Sequence, residues 1–168
     1  MEKANLQMAD LRGAKTTGIS LEKANLQVAH MERLDLRGCN LSHANLQAAR
    51  LDGAILAEAT LEHANMQAAC LRGCDLRGAK LDHANLQAAS LQEANLEGVH
   101  FDHVNLQAAR LAACNLRGCL FEHCNFQAAN LKGSDLRNAR LEHCNVLGAN
   151  LKDANTEGME TEHTDLRS

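Results

Sequence analysis

Proline, tryptophan and tyrosine are absent from this chain, and phenylalanine occurs only as Phe101, Phe121 and Phe126. A domain of 168 residues has room for a sizeable core, which is ordinarily filled with bulky aromatics and connected by loops that use proline. An ordinary globular fold is therefore not expected. A strong charge imbalance is also missing, since 17 basic and 21 acidic residues leave a formal net charge of -4 without blocks of either sign. With no basic stripe and no aromatic platforms for stacking bases, direct nucleic-acid binding is not expected. No apolar run approaches the roughly 18 residues of a spanning helix, and the opening MEKANLQMAD has no charged-then-apolar leader pattern. Zinc-type cysteine pairs are lacking apart from the loose spacing Cys70 to Cys74, so a reducing, cytoplasmic setting is the expectation.

What the sequence does have is a repeat. Leu, Met, Phe or Val recurs at every fifth residue from Met1 to Leu166, interrupted only by Thr16, Thr156 and Thr161. Two residues before each of these stands a small or apolar side chain, mostly Ala and in six places Cys, with Ser134 and Thr164 as polar exceptions. Between the two lies most often Asn or Asp. A period of five fits neither a helix, at 3.6, nor a strand, at 2, so the chain must turn a corner in every repeat. All eleven glycines, from Gly13 and Gly18 to Gly148 and Gly158, share the fifth position. This is the second central place of a type II turn, where φ is positive. Corners holding Gly are therefore expected to have positive φ, and corners holding His or Ala are not, because a Cβ is penalised there.

Stretches such as Ala44-Asn45-Leu46-Gln47-Ala48 and Ala94-Asn95-Leu96-Glu97-Gly98 resemble the pentapeptide repeat family, and the resemblance covers the whole chain as a single domain, residues 1–168. It implies a right-handed quadrilateral parallel β-helix, all-β, with four pentapeptides per coil and with Leu and the small residue pointing inward. A 20-residue super-repeat supports four per coil independently: LSHANLQAAR, LEHANMQAAC, LDHANLQAAS, FDHVNLQAAR and FEHCNFQAAN follow one another from residue 41. About eight coils result, a rod roughly 40 Å long at about 4.8 Å per coil.

Stacking makes residues 20 apart neighbours, so outward positions form columns. Histidine occupies one column at His43, His63, His83, His103, His123, His143 and His163, beside an acidic column of Glu62, Asp82, Asp102, Glu122, Glu142 and Glu162. Glutamine fills a third with Gln47, Gln67, Gln87, Gln107 and Gln127, preceded by Gln7 and Gln27, and Asn a fourth from Asn5 to Asn145. Two adjacent faces are thus expected to be nearly invariant along the rod, and these columns form the candidate interaction surface. Three readings fit the histidines: turn residues copied by duplication, a pH-sensitive surface, or a metal site. Parallel outward imidazoles do not converge into a tetrahedral cage, so no tightly bound ion and no cofactor are expected. Six of the seven cysteines take the inward small slot and read as core, as do the three Phe in the Leu slot; only Cys70 falls at an outward position.

No nucleophile, base and orienting acid stand out, and an enzyme is not expected. The reading favoured is a non-enzymatic structural or protein-interaction scaffold with an unidentified protein partner. The resemblance implies an alternative, because some members of the family resemble duplex DNA and bind DNA gyrase. Such mimicry wants a strongly acidic surface, whereas here Arg or Lys intervenes at Arg12, Arg72, Lys132 and Lys152 and at Arg37, Arg77, Arg117 and Arg137. A further alternative is an excised or engineered rod with no native function of its own, since no capping helix covers either end, although Lys15-Thr16-Thr17-Gly18-Ile19 and Ile55-Leu56-Ala57 depart from an idealised consensus. Open terminal coils predict a weak end-to-end homodimer.

Overall fold

The computed structural model describes residues 1–16, 18–164 and 166, so Thr17 of the irregular N-terminal stretch lies outside the described residues. Parallel bridges join residues 20 apart from Asn5↔Asn25 to Asp135↔Asn155, at the middle of the pentapeptides, with Lys15 an exception. Each coil is therefore 20 residues and four pentapeptides. Where the bridges lengthen they form four three-residue strands, β1 (His100–Asp102), β2 (Leu120–Glu122), β3 (Arg140–Glu142) and β4 (Glu160–Glu162), paired in parallel in the order β1-β2-β3-β4.

The five backbone N–H groups of one repeat show why this sequence holds this path. The Ala44 N–H closes its own corner onto the Leu41 carbonyl at 3.0 Å, while the Asn45 N–H reaches back to Ala24 at 2.9 Å. The Leu46 and Ala48 N–H groups reach forward to Asn65 at 2.7 Å and Gln67 at 2.9 Å. Only the Gln47 N–H has no partner in the stack, and the Asn45 Oδ1 accepts it at 3.3 Å. A buried or half-buried N–H left unpaired is costly, and a side chain that bonds its own backbone two residues on is the special property of Asn and Asp. That is the reason for Asn or Asp at this position. Where Cys70 replaces it, the Arg72 N–H is taken instead by Asp52 Oδ1 of the neighbouring coil at 3.0 Å.

The expectation about corner geometry is corrected by the structure. Positive φ occurs at every fifth-position residue from Lys3 to His163, at values of 57° for His43 and His63, 59° for His83, 52° for His103 and even 58° for the β-branched Val28. Glycine is not what makes the corner. The N–H of this residue must point at the carbonyl of the next coil, as His63 does to Asp82 and Gly53 does to Arg72, and only the left-handed conformation aims it there. A Cβ at such a position costs about 1–2 kcal/mol, a penalty the stack imposes on every non-glycine corner alike.

Inside, the two inward positions build an unbroken column: Leu46, Leu86 and Leu106 are fully buried, as are Ala49, Ala89 and Ala109. Each buried Leu contributes roughly 1.5–3 kcal/mol. Phe101 and Phe121 stack at 4.6 Å, and Phe126 meets Phe121 edge-on at 5.0 Å. The polar exceptions are satisfied, with Ser134 Oγ donating to the Leu131 carbonyl at 2.7 Å and Thr16 Oγ1 to that of Asp35. Among the described residues no helix is long and apolar enough to cross a membrane.

Candidate functional site: the asparagine-centred face

The structure brings the regular columns together, but not as two faces. The histidines with their acidic neighbours occupy one corner, the glutamines occupy the next, and the bridged Asn residues run down the middle between them. His83, Asn85 and Gln87 therefore belong to one flat face and its two edges.

Each column bonds to itself. The Gln ladder donates from each Nε2 to the Oε1 one coil further on, from Gln7 to Gln27 at 3.3 Å through Gln87 to Gln107 at 3.0 Å and Gln107 to Gln127 at 3.2 Å, with Gln47 and Gln67 between. The Asn ladder runs the other way: Asn25 Nδ2 donates to Asn5 Oδ1 at 3.3 Å and Asn105 to Asn85 at 3.2 Å. Seven imidazoles, His43 to His163, stack with ring centroids 4.6 to 5.1 Å apart. His103 departs from this order, lying 29° out of plane with both His83 and His123, whereas His63 is within 3° of both His43 and His83. Its Nδ1 is 2.6 Å from Asp102 Oδ1. The sequence changes at this coil: Phe101 and Val104 stand where Leu81 and Ala84 stood, and the hydrogen-bonded turn at His83 becomes a bend at His103.

Outside this face four Asp residues are each held by an Arg two residues on. Arg37 grips Asp35 with Nε at 2.9 Å and an NH2 at 2.6 Å, and Arg12–Asp10, Arg77–Asp75 and Arg137–Asp135 repeat the same two-point contact. Those hydrogen bonds hold Asp35 and Asp75 below the usual carboxylate range and bring Asp135 to about 2. Beside the acidic edge, Glu62, Lys80, Asp82 and His100 rim a shallow groove of about 380 Å³ floored at the Gly78 and Gly98 corners.

All seven cysteines are free thiols, and Cys70 alone is not fully buried. Burial pushes Cys74, Cys114 and Cys119 up to about 12 and raises Cys70 as well. Cys124 is raised by the Cys144 thiol beside it and then by burial. Nucleophilic use of these sulfurs is disfavoured, since the thiolate is the reactive form.

Residues 4–42 and 39–78 match the sequence profile "Pentapeptide repeats", and residues 89–168 match "Pentapeptide repeat region". The chain belongs to the pentapeptide repeat family. A search of curated proteins gives no significant match. Among solved structures, this pentapeptide repeat protein is similar to HetL of the cyanobacterium Nostoc, a protein involved in heterocyst differentiation regulation. The two share 30% identity over 95% of this chain and 73% of HetL, with a TM-score of 0.60. It is also similar to a pentapeptide repeat protein of the Arabidopsis thaliana thylakoid lumen, at 25% identity over 65% of this chain and 69% of that one, with a TM-score of 0.51. A trypsin-treated form of QnrB1, a plasmid-mediated fluoroquinolone resistance protein, shares the fold at 17% identity over 94% of this chain and 89% of that one, with a TM-score of 0.54. The pentapeptide repeat protein is accordingly a right-handed β-helix.

Sequence reasoning places the columns but misses the work of the Asn residues, which cap the corner amides as well as line the surface. The available signal was the spacing itself, Asn or Asp two residues ahead of a corner amide. The acidic column was found, but the tilt that sets Asp102 and His103 apart was not.

Proposed function

We propose that this protein is a non-enzymatic interaction scaffold whose docking surface is the asparagine-centred face with its histidine–carboxylate and glutamine edges. The observation that carries this is the sameness of both edges of that face from coil to coil, with Gln27, Gln47, Gln67, Gln87, Gln107 and Gln127 in one hydrogen-bonded ladder, while a corner across the rod changes, as Arg37, Ala57, Arg77 and Glu97 do. Side chains held by their neighbours lose little freedom on binding, so a pre-ordered flat face costs less to occupy than a mobile one. Solenoids generally bind through such extended surfaces. The partner is a protein, in keeping with the involvement of HetL in heterocyst differentiation regulation, and direct contact with nucleic acid is not part of this reading. The free thiols favour a reducing compartment. The gyrase-binding alternative has less support, because the paired Asp–Arg sites on the other faces neutralise the charge a DNA mimic needs.

A photo-crosslinking residue introduced at Gln87 tests the proposal against the same residue at Arg117. In extracts of the source organism the Gln87 probe is expected to capture a discrete partner that excess unlabelled protein competes away. Equal capture from both positions, or none from Gln87, would overturn the assignment of the face.

A further inference from the structure

We propose that His83, Asp102 and His103 form an open, exchangeable site for a borderline divalent cation such as Zn²⁺. One ligand atom from each of the three lies within 4.8 Å of the others, with His83 and His103 exposed and Asp102 half-buried. Elsewhere the histidine ladder is parallel, and parallel rings hold their nitrogens side by side without converging. The coil at His103 breaks that rule. There the ring leans 29° from His83, and Nδ1 comes to 2.6 Å from Asp102 Oδ1.

The Asp102 oxygen and the His103 nitrogen, 2.6 Å apart, need part only to about 3–3.4 Å to sit on one ion with bonds of about 2.0–2.2 Å, the ion replacing the ring proton they share. The His83 ring then closes from the far side. Two imidazoles on one ion need nitrogens about 3–3.4 Å apart, so His83 and His103 must lean together by roughly 1.5 Å, a rotation exposed side chains make readily. Two imidazoles and a carboxylate are the donor set that suits zinc, with copper(II) favoured further by its position in the affinity series. The remaining coordination positions face solvent and carry water or a side chain from a docked protein. A site with three side chains and no enclosing shell is expected to bind in the low-micromolar range, short of a dedicated cage.

Isothermal titration of the whole protein with Zn²⁺ tests this, with His83→Asn, His103→Asn, Asp102→Asn and His43→Asn beside the parent. Asn suits the left-handed corner, where Asn138 already sits at φ 56°, and circular dichroism with thermal unfolding confirms that each variant keeps the coil. One saturable site is expected in the parent, weakened at least about tenfold by each of the first three substitutions and unchanged by His43→Asn. Absence of saturable binding below about 100 µM overturns the proposal. So does any variant pattern in which Asp102→Asn binds like the parent, or in which His43→Asn weakens binding as much as His103→Asn does.

Discussion

Exchanging glycine and alanine between two corners separates the cost of a left-handed residue from everything else in the fold. Ala108 (φ 54°) and Gly118 (φ 62°) are both exposed, and their N–H groups make the same bond to the next coil, to Gln127 at 2.8 Å and Arg137 at 2.9 Å. A Cβ built on Gly118 meets nothing within 4 Å, so neither substitution changes packing. The Cβ penalty of about 1–2 kcal/mol is offset by about 0.4–1 kcal/mol of extra unfolded-state freedom for glycine. Ala108→Gly should therefore stabilise the protein by about 1 kcal/mol and Gly118→Ala destabilise it by a similar amount. For a chain of this length each change moves the melting temperature by about 2–4 °C, in opposite directions. Calorimetric or circular-dichroism melts at matched concentration read this out. Shifts in the same direction, or a destabilised Ala108→Gly variant, would show that something other than backbone conformation sets corner stability.

Removing the side chain of Asn85 strands the Gln87 N–H, now bonded at 3.1 Å, and interrupts the ladder to Asn105; Asn85→Ala should cost about 1–2 kcal/mol in thermal unfolding. Asn85→Asp keeps both acceptor roles but gives up the Nδ2 donation to Asn65 Oδ1, so it should recover part of that loss, and equal destabilisation by the two would refute the capping role. Titration of the native protein with a thiol reagent near neutral pH should modify Cys70 slowly and leave Cys74, Cys114 and Cys119 untouched until denaturant is added, given their raised pKa values; prompt reaction of several thiols would contradict their burial. The depressed pKa of Asp135, about 2, makes its contribution to stability fully present above the unfolded carboxylate value near 4 and lost as pH falls through about 2. Asp135→Asn should thus be slightly less stable than the parent at about pH 5 and indistinguishable from it at about pH 2, the difference being small because the pair is exposed.

The parts of this structure that were legible in the sequence are those that repeat. The inward column through Leu46 and Leu106, the four-repeat coil and the Phe and Cys residues in core slots all follow from a period of five set inside a period of twenty. The corner conformation is not legible in the sequence, because the Cβ atoms of His63 and Ala68 disfavour a positive φ locally. What decides φ there is a hydrogen bond to Asp82 or Gln87, twenty residues further on from the fourth position. A local penalty was weighed without the distant bond that imposes it. The tilt of His103 is not legible in the repeat, because it is a ring orientation beside Asp102 in a column whose residue type does not change.

Bridges that always join residues 20 apart give the rod two different tolerances to loss or gain of sequence. Deleting twenty residues shortens the stack and leaves each surface column on its own face. Deleting five also preserves the inward Leu and Ala positions, yet it rotates everything downstream by a quarter turn, setting Gln residues above the acidic residues of the Asp82 column. The interior cannot detect such a slip, but the outer face is destroyed by it. Duplication within a lineage of such chains can therefore change length freely in units of five as far as folding is concerned, while an unbroken face like that of Asn5 to Asn145 persists only if changes come in units of twenty.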